Sequence, residues 1–94
     1  MINSDKYLYC DYSIFAYNQR LLAVDIKNKS IDTVGRFTTE RFPQAVAMAA
    51  ERSDIELIIL EGNAAYLKKV ADEIKYIDNN LKVEVNPYNN EISY

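Results

Sequence analysis

The segment at residues 55–60 constrains the fold more than any other, because it is apolar at every position except Glu56. A short run of this kind, without polar alternation, is typical of a strand covered on both faces. Stretches with helical periodicity lie on either side of it. A buried strand between two helices favours parallel pairing through crossover connections, and the sequence therefore predicts an α/β domain.

The first helical stretch begins near Pro43, since proline is well tolerated at the first position of a helix. It continues through residues 45–52. Val46, Ala49 and Ala50 form a stripe of small apolar side chains in this stretch. Small side chains let a helix lie close to a sheet, so this stripe is predicted to face the core.

The second helical stretch has the clearest periodicity in the chain. Asn63 is predicted as its N-cap, because an Asn side chain can accept a bond from a free N–H of the first turn. Charged residues, including Lys68, occupy the face opposite the apolar one. The apolar face is formed by Leu67, Val70, Ala71, Ile74 and Ile77.

The rest of the chain reads as strands. Residues 7–17 (interrupted near 11–13), 21–27 and 31–37 are predicted to form an antiparallel meander. Residues 81–85 alternate cleanly and are predicted to form an edge strand, which Pro87 closes. Its inward side chains are predicted to be Leu81, Val83 and Val85.

The predicted element order is therefore β-β-β-α-β-α-β. Right-handed crossovers place the two later strands beside the first strand. The prediction is a five-stranded mixed sheet in the spatial order 3-2-1-4-5. With 94 residues, the chain has room for a single domain over residues 1–87, followed by a polar C-terminal tail at 88–94.

Composition excludes several kinds of function. The net charge is −3 without a cluster of Lys and Arg, which disfavours nucleic acid as a partner. No apolar run is long enough to span a membrane. Cys10 is the only cysteine, so an intrachain disulfide is impossible and a cytoplasmic location is expected. The absence of histidine argues against a serine or cysteine triad and against a zinc site.

The order and spacing of the elements resemble the ribonuclease H-like fold over nearly the whole chain up to Val85. Asp11-Tyr12-Ser13 is similar to the Asp-Gly-Ser of the type 1 ribonuclease H branch, whose Asp is a metal ligand. Residues 61–66, Glu-Gly-Asn-Ala-Ala-Tyr, resemble the acidic-Ser-x-x-Tyr entry into that family's next helix. The resemblance implies that Asp11 and Glu61 lie at the ends of adjacent parallel strands, where they could hold Mg²⁺.

The chain also departs from the family pattern. Gln44 stands nearest to the family's helix Glu, Tyr12 replaces the Gly, and no length remains for the C-terminal helix with the last acid. Two-metal phosphodiester hydrolysis needs several carboxylates. The leading interpretation is a non-catalytic ribonuclease H-like module without a cofactor. The alternative is a Mg²⁺-dependent nuclease or nucleic-acid-binding domain, with Asp11 and Glu61 as catalytic residues and metal ligands.

Tyrosine is unusually common, with eight in the chain. Several aromatic residues of the first strand share one parity with Asp11. Such rings could stack on single-stranded bases, but the strand lacks the accompanying positive charge. Packing under a helix or a protein interface suits them better, because tyrosine is enriched at interfaces. The predicted binding surface comprises Tyr7, Tyr9 and Tyr17, and its predicted partner is another protein or a second copy of this chain. The small size of the chain suits an accessory protein of a phage, prophage or mobile element.

Overall fold

The structure, a computed structural model, describes residues 5–13 and 19–88 and contains a five-stranded mixed sheet with two helices. The predicted class, element order and strand order are confirmed. The strands are β1 (Lys6–Tyr12), β2 (Gln19–Asp25), β3 (Ser30–Phe37), β4 (Leu57–Gly62) and β5 (Lys82–Pro87), and the helices are α1 (Phe42–Ser53) and α2 (Ala64–Ile77). The predicted extension of the first strand over residues 14–17 lies outside the described residues. Of the predicted tail, the structure describes Tyr88.

Strand β1 is the middle strand of the sheet. It pairs antiparallel with β2 and parallel with β4, and β5 pairs parallel with β4 on the outside. The predicted central position of the apolar strand is confirmed, although β4 begins two residues later than residue 55 and extends to Gly62. Ile55 precedes the strand and is buried at the end of the turn that follows α1.

Both helices pack on the same face of the sheet, in one continuous core. The connection from β3 to β4 and the connection from β4 to β5 move across the sheet in the same direction. Two right-handed crossovers in one direction place their helices on one side. The fully buried side chains of the helix-bearing face include Leu8, Cys10, Leu21, Ile58 and Leu60, and they pack against Phe42, Val46, Leu67 and Ile74 of the helices.

The expectation that β4 is covered on both faces is wrong for the described residues. Ile58 and Leu60 are fully buried under the helices, whereas Leu57 and Ile59 point to the other face and are only half-buried. The apolar run reflects a second apolar surface rather than a second helical layer. Val85 points to the helix-bearing face as predicted, but it is 40% exposed because β5 is the edge of the sheet.

The start of α2 follows directly from the end of β4. The Asn63 side chain accepts a hydrogen bond from the Ala65 N–H at 2.9 Å, which confirms it as the N-cap. Gly62 makes the exit from the strand with φ of 153°, and a Cβ on it would lie 2.7 Å from the Tyr12 carbonyl oxygen. The close approach of β1 and β4 at this point therefore requires glycine.

Gln19 is fully buried at the start of β2. Its side-chain amide donates to the Ser13 carbonyl oxygen at 2.6 Å, and its side-chain oxygen accepts from the Ser13 N–H at 2.7 Å. The amide thus takes the place of a backbone ladder pair and joins the end of β1 to the start of β2. Within the described ranges, neither helix has the length and apolarity needed to cross a membrane.

Candidate functional site

Asp11 and Glu61 occupy matching positions on the parallel strands β1 and β4. Neighbouring strands lie about 4.8 Å apart, so the two residues are adjacent near the carboxyl ends of their strands. Both side chains project from the face opposite the helices, because Cys10 and Leu60, which precede them, are buried under the helices. The structure therefore brings together the two carboxylates that the ribonuclease H resemblance pointed to.

Each carboxylate accepts a hydrogen bond from a tyrosine hydroxyl. Tyr9 donates to Oε1 of Glu61, and Tyr88 donates to Oδ1 of Asp11. Tyr88 follows the edge strand β5, and its backbone N–H donates to the Gly62 carbonyl oxygen at 2.7 Å. The ring thus reaches from the outer strand toward the central one, and the carboxylates are part of a tyrosine–carboxylate network.

The electrostatics of this network follow from partial burial and like charge. The pKa of Asp11 is raised above its usual value, first by loss of water and then by the neighbouring charge of Glu61. The pKa of Tyr9 is also raised, chiefly by burial and further by its hydrogen bond to Glu61. Each shift favours the protonated form of its group, and the Tyr9 hydroxyl donates its proton to the hydrogen bond with Glu61.

The two carboxylates fit one hydrated Mg²⁺ at most. A magnesium ion usually keeps several waters and takes one or two protein carboxylates. Among residues 5–13 and 19–88, no group of three or more Asp, Glu, Cys or His side chains could hold a metal ion. A two-ion site needs more acidic ligands than this pair supplies, so the described residues do not fit two-metal hydrolysis.

Gln44, the nearest counterpart of the family's helix Glu, is not brought to this pair. It lies on α1, in a groove lined also by Val34 and Phe37 of β3. That groove is on the helix-bearing side, whereas Asp11 and Glu61 project from the opposite face. An acid at position 44 would therefore not reach the two carboxylates in this arrangement.

Tyr7 and Tyr9 lie on the same face as Asp11, away from both helices. They are half-buried by their neighbours in the sheet, so the alternative that they pack under a helix is wrong for these two rings. Tyr17, the third residue of the predicted binding surface, lies outside the described residues. Strand register places aliphatic side chains on both sides of the two rings: Leu22 and Val24 on β2, Leu57 and Ile59 on β4.

These side chains make up the open face, defined here by Tyr7, Tyr9, Leu22, Val24, Leu57 and Ile59. Leu22 is in register with Tyr9, which is in register with Ile59. Val24 is likewise in register with Tyr7. All six side chains are half-buried rather than buried. Ile31 extends the apolar surface onto β3, where it is 67% exposed.

Charged residues border the open face at the end near Asp11 and Glu61. Arg20 and Arg36 are register partners on β2 and β3. They project from the same side as the open face, since the adjacent Leu21 is buried under the helices. The border is thus basic on the β2–β3 side and acidic on the β1–β4 side.

The aliphatic half of the open face was missed by reasoning from the sequence. The apolar run of the fourth strand was interpreted as a strand covered on both faces, and no aliphatic side chain was assigned to the predicted binding surface. A usable signal was present in the predicted strand order, because two crossovers in one direction leave one face of the sheet without helices.

Neither a protein-family model nor a curated protein matches this chain.

Proposed function

We propose that this chain is a non-catalytic ribonuclease H-like module that binds a protein surface through its open face. The observation that carries the proposal is the position of Tyr7 and Tyr9, at the middle of a sheet face that no described helix covers. The ribonuclease H-like part of the proposal is supported by the 3-2-1-4-5 strand order and by the adjacency of Asp11 and Glu61.

The composition of the open face favours a protein as the bound surface. Contiguous apolar patches on a protein surface mark interaction sites more often than scattered apolar residues do. Tyrosine at the centre of such a patch supplies a large apolar area together with a polar hydroxyl. Charged residues lie around this centre, at the end near Asp11 and Glu61 and along β5 at Lys82 and Glu84, as in interfaces whose centre is depleted of charge.

The same surface suits a polyanion poorly. Asp11 and Glu61 lie at the end of the patch, and their negative charge would repel phosphate groups. The basic residues around the patch are Arg20 and Arg36 at the same end and Lys82 on the edge strand β5. Stable capture of a nucleic-acid backbone needs several basic groups along one surface.

Site-specific photocrosslinking tests the proposal. A photoreactive amino acid is placed at Leu22 on the open face, and in a matched variant at Tyr76, which is 91% exposed on α2. Both variants are irradiated as purified chains and in extract of the cells that produce the protein. We expect a discrete covalent adduct from position 22 and none from position 76. A correctly folded variant that yields no adduct from position 22 in either setting would reject the proposal.

The second candidate function is the Mg²⁺-dependent nuclease, favoured by the direct register of Asp11 with Glu61. We expect no cleavage of RNA–DNA hybrid, single-stranded DNA or branched DNA with Mg²⁺ or Mn²⁺. Gln44→Glu should not create activity, because position 44 is on the other side of the sheet. Cleavage by the parent that disappears in both Asp11→Ala and Glu61→Ala would favour the nuclease over the binding module.

A further inference from the structure

We propose that the protein bound by the open face is a second copy of this chain, packed face to face about a twofold axis parallel to β1. This inference rests on the proposed function and names the partner of the same surface. It follows from three features of the described residues: the central position of β1, the symmetry of the apolar patch, and the distribution of charge along its border.

The position of β1 makes the face self-complementary. In the order β3-β2-β1-β4-β5, β1 has two strands on each side. A twofold axis along β1 superposes β2 of one copy on β4 of the other. Tyr9 then lies near its own copy at the centre, and Leu22 of each chain lies over Ile59 of its partner, since both are in register with Tyr9.

The charged border determines the direction of the axis. Arg20 and Arg36 are like charges in direct register on neighbouring strands, an arrangement that is unfavourable in an isolated sheet. Neither guanidinium has an ion-pair partner in the part of the chain that the structure describes. With the axis along β1, Arg20 of each copy lies over Glu61 of the other, and these two contacts flank Asp11, which faces its own copy. An axis across the strands would instead place these arginines over Val24 and other apolar side chains.

The area of the face sets the expected strength of the dimer. The whole sheet face, with the open face at its centre and charged residues around it, spans five strands at about 4.8 Å spacing and about 20 Å of strand length, a footprint of roughly 500 Å² on each copy. The pair would bury about 1,000 Å², below the roughly 1,200–2,000 Å² of stable interfaces and at about the minimum for a specific one. Facing sheets also pack about 10 Å apart, which side chains of Leu, Ile and Tyr size fill from both sides. A reversible dimer with a micromolar dissociation constant is expected.

The test is sedimentation velocity on the purified full chain between about 1 µM and 1 mM, with a charge swap across the interface. Arg20→Glu alone and Glu61→Arg alone should each weaken dimerisation at least tenfold, because each places like charges opposite one another. The double variant should return to within about threefold of the parent. Lys68→Glu, on the exposed face of α2, is the matched control and should leave the dissociation constant unchanged.

A second variant keeps the test independent of the network around Glu61. Ile59→Lys should abolish the dimer, while circular dichroism reports whether the fold is retained. A parent that stays monomeric at 1 mM, or a double variant that does not recover, would overturn the second-copy proposal. If position 22 then crosslinks to another protein in extract, the binding function stands without self-association. A monomer without any adduct from position 22 would overturn both.

Discussion

Asp11 and Glu61 lie directly opposite one another on parallel strands, and each carboxylate accepts a bond from a tyrosine hydroxyl. Partial burial makes ionisation of Asp11 unfavourable, and repulsion from the neighbouring Glu61 adds to the cost. The pKa of Asp11 is accordingly raised. Ionisation of Asp11 at neutral pH therefore costs stability, and perturbed pKa values of this kind are common at functional sites.

The raised pKa of Asp11 predicts the pH dependence of an Asp11→Asn variant. When the pKa of an acid is higher in the folded state than in the unfolded state, the acid stabilises the fold at a pH below its unfolded-state pKa, which is 3.8 for Asp11. This stabilisation is lost as the pH rises through the folded-state pKa. The Asp11→Asn variant has no carboxyl group that can ionise at this position. We expect it to be more stable than the parent at pH 7, by up to about 1 kcal/mol for a solvent-exposed charge, and to lose that advantage at pH 3.5. Urea melts at both pH values measure the difference.

The Asp25→Asn variant is a control in which the stability change should depend on pH in the opposite direction. The hydrogen bonds from Asn28 hold the pKa of Asp25 below its usual value. A lowered pKa contributes stability above the unfolded value, and this is lost as the pH falls through the folded value. Asp25→Asn should therefore destabilise at pH 7 and have less effect in acid. The same pH trend in both variants would contradict the assignment at Asp11.

The contact of β1 with the end of β4 predicts different costs for the two glycines. In Gly62→Ala, the alanine would have to adopt a φ of 153°, and its Cβ would lie 2.7 Å from a backbone carbonyl oxygen. We therefore expect the free energy of unfolding to fall by about 2–4 kcal/mol. A Cβ at Gly35 would instead lie 3.0 Å from the end of the Phe37 ring, which can move. Gly35→Ala should change stability by less than about 1 kcal/mol. Equal losses in urea melts would show that the strand exit at Gly62 is placed incorrectly.

The burial of α2 predicts an asymmetry between its two faces. Ile74 is fully buried against the sheet, so Ile74→Ala should cost roughly 2–4 kcal/mol through lost contacts and a cavity. Lys68 is exposed, and Lys68→Ala should cost less than about 0.5 kcal/mol. The comparison requires only equilibrium urea melts of the two variants and the parent. Similar losses at both positions would mean that the helix is rotated about its axis.

Cys10 provides a probe of opening of the sheet. Its side chain is fully buried on the helix-bearing face of β1, and burial raises the pKa of its thiol to about 12. Since the thiolate is the reacting form, alkylation by iodoacetamide at pH 8 should be at least ~100-fold slower in the native chain than in urea. Native labelling at the unfolded rate would indicate that the central strand is accessible, contrary to the described packing.

Much of the architecture could be predicted because it depends on local patterns. The helical periodicity of residues 67–77 and the N-cap at Asn63 depend on side chains within a few turns of one another, and both are confirmed. The strand order followed from the handedness of the connections, and it too is confirmed. The adjacency of Asp11 and Glu61 was implied by the resemblance to the ribonuclease H-like fold, and the register of β1 with β4 places the two residues side by side.

The partners of those carboxylates were not predictable in the same way. Tyr88 reaches Asp11 from 77 positions away in the chain, across β4, because the edge strand happens to end opposite Gly62. No spacing rule connects two such residues. The hydrogen bond from the Tyr9 hydroxyl to Glu61 was not predictable either, because it depends on the register of β1 with β4.

The sequence by itself determined which residues are apolar, which segments have strand or helix periodicity, and which acids end the two central strands. Only the tertiary structure decided which apolar surface is core and which is the open face. Leu57 and Ile58 are equally apolar in the sequence, yet Ile58 is fully buried and Leu57 is half-buried. The hydrophobic effect is non-directional, so an apolar side chain can be buried on either face of a sheet. The face that the helices cover is determined by the handedness of the connections between the strands.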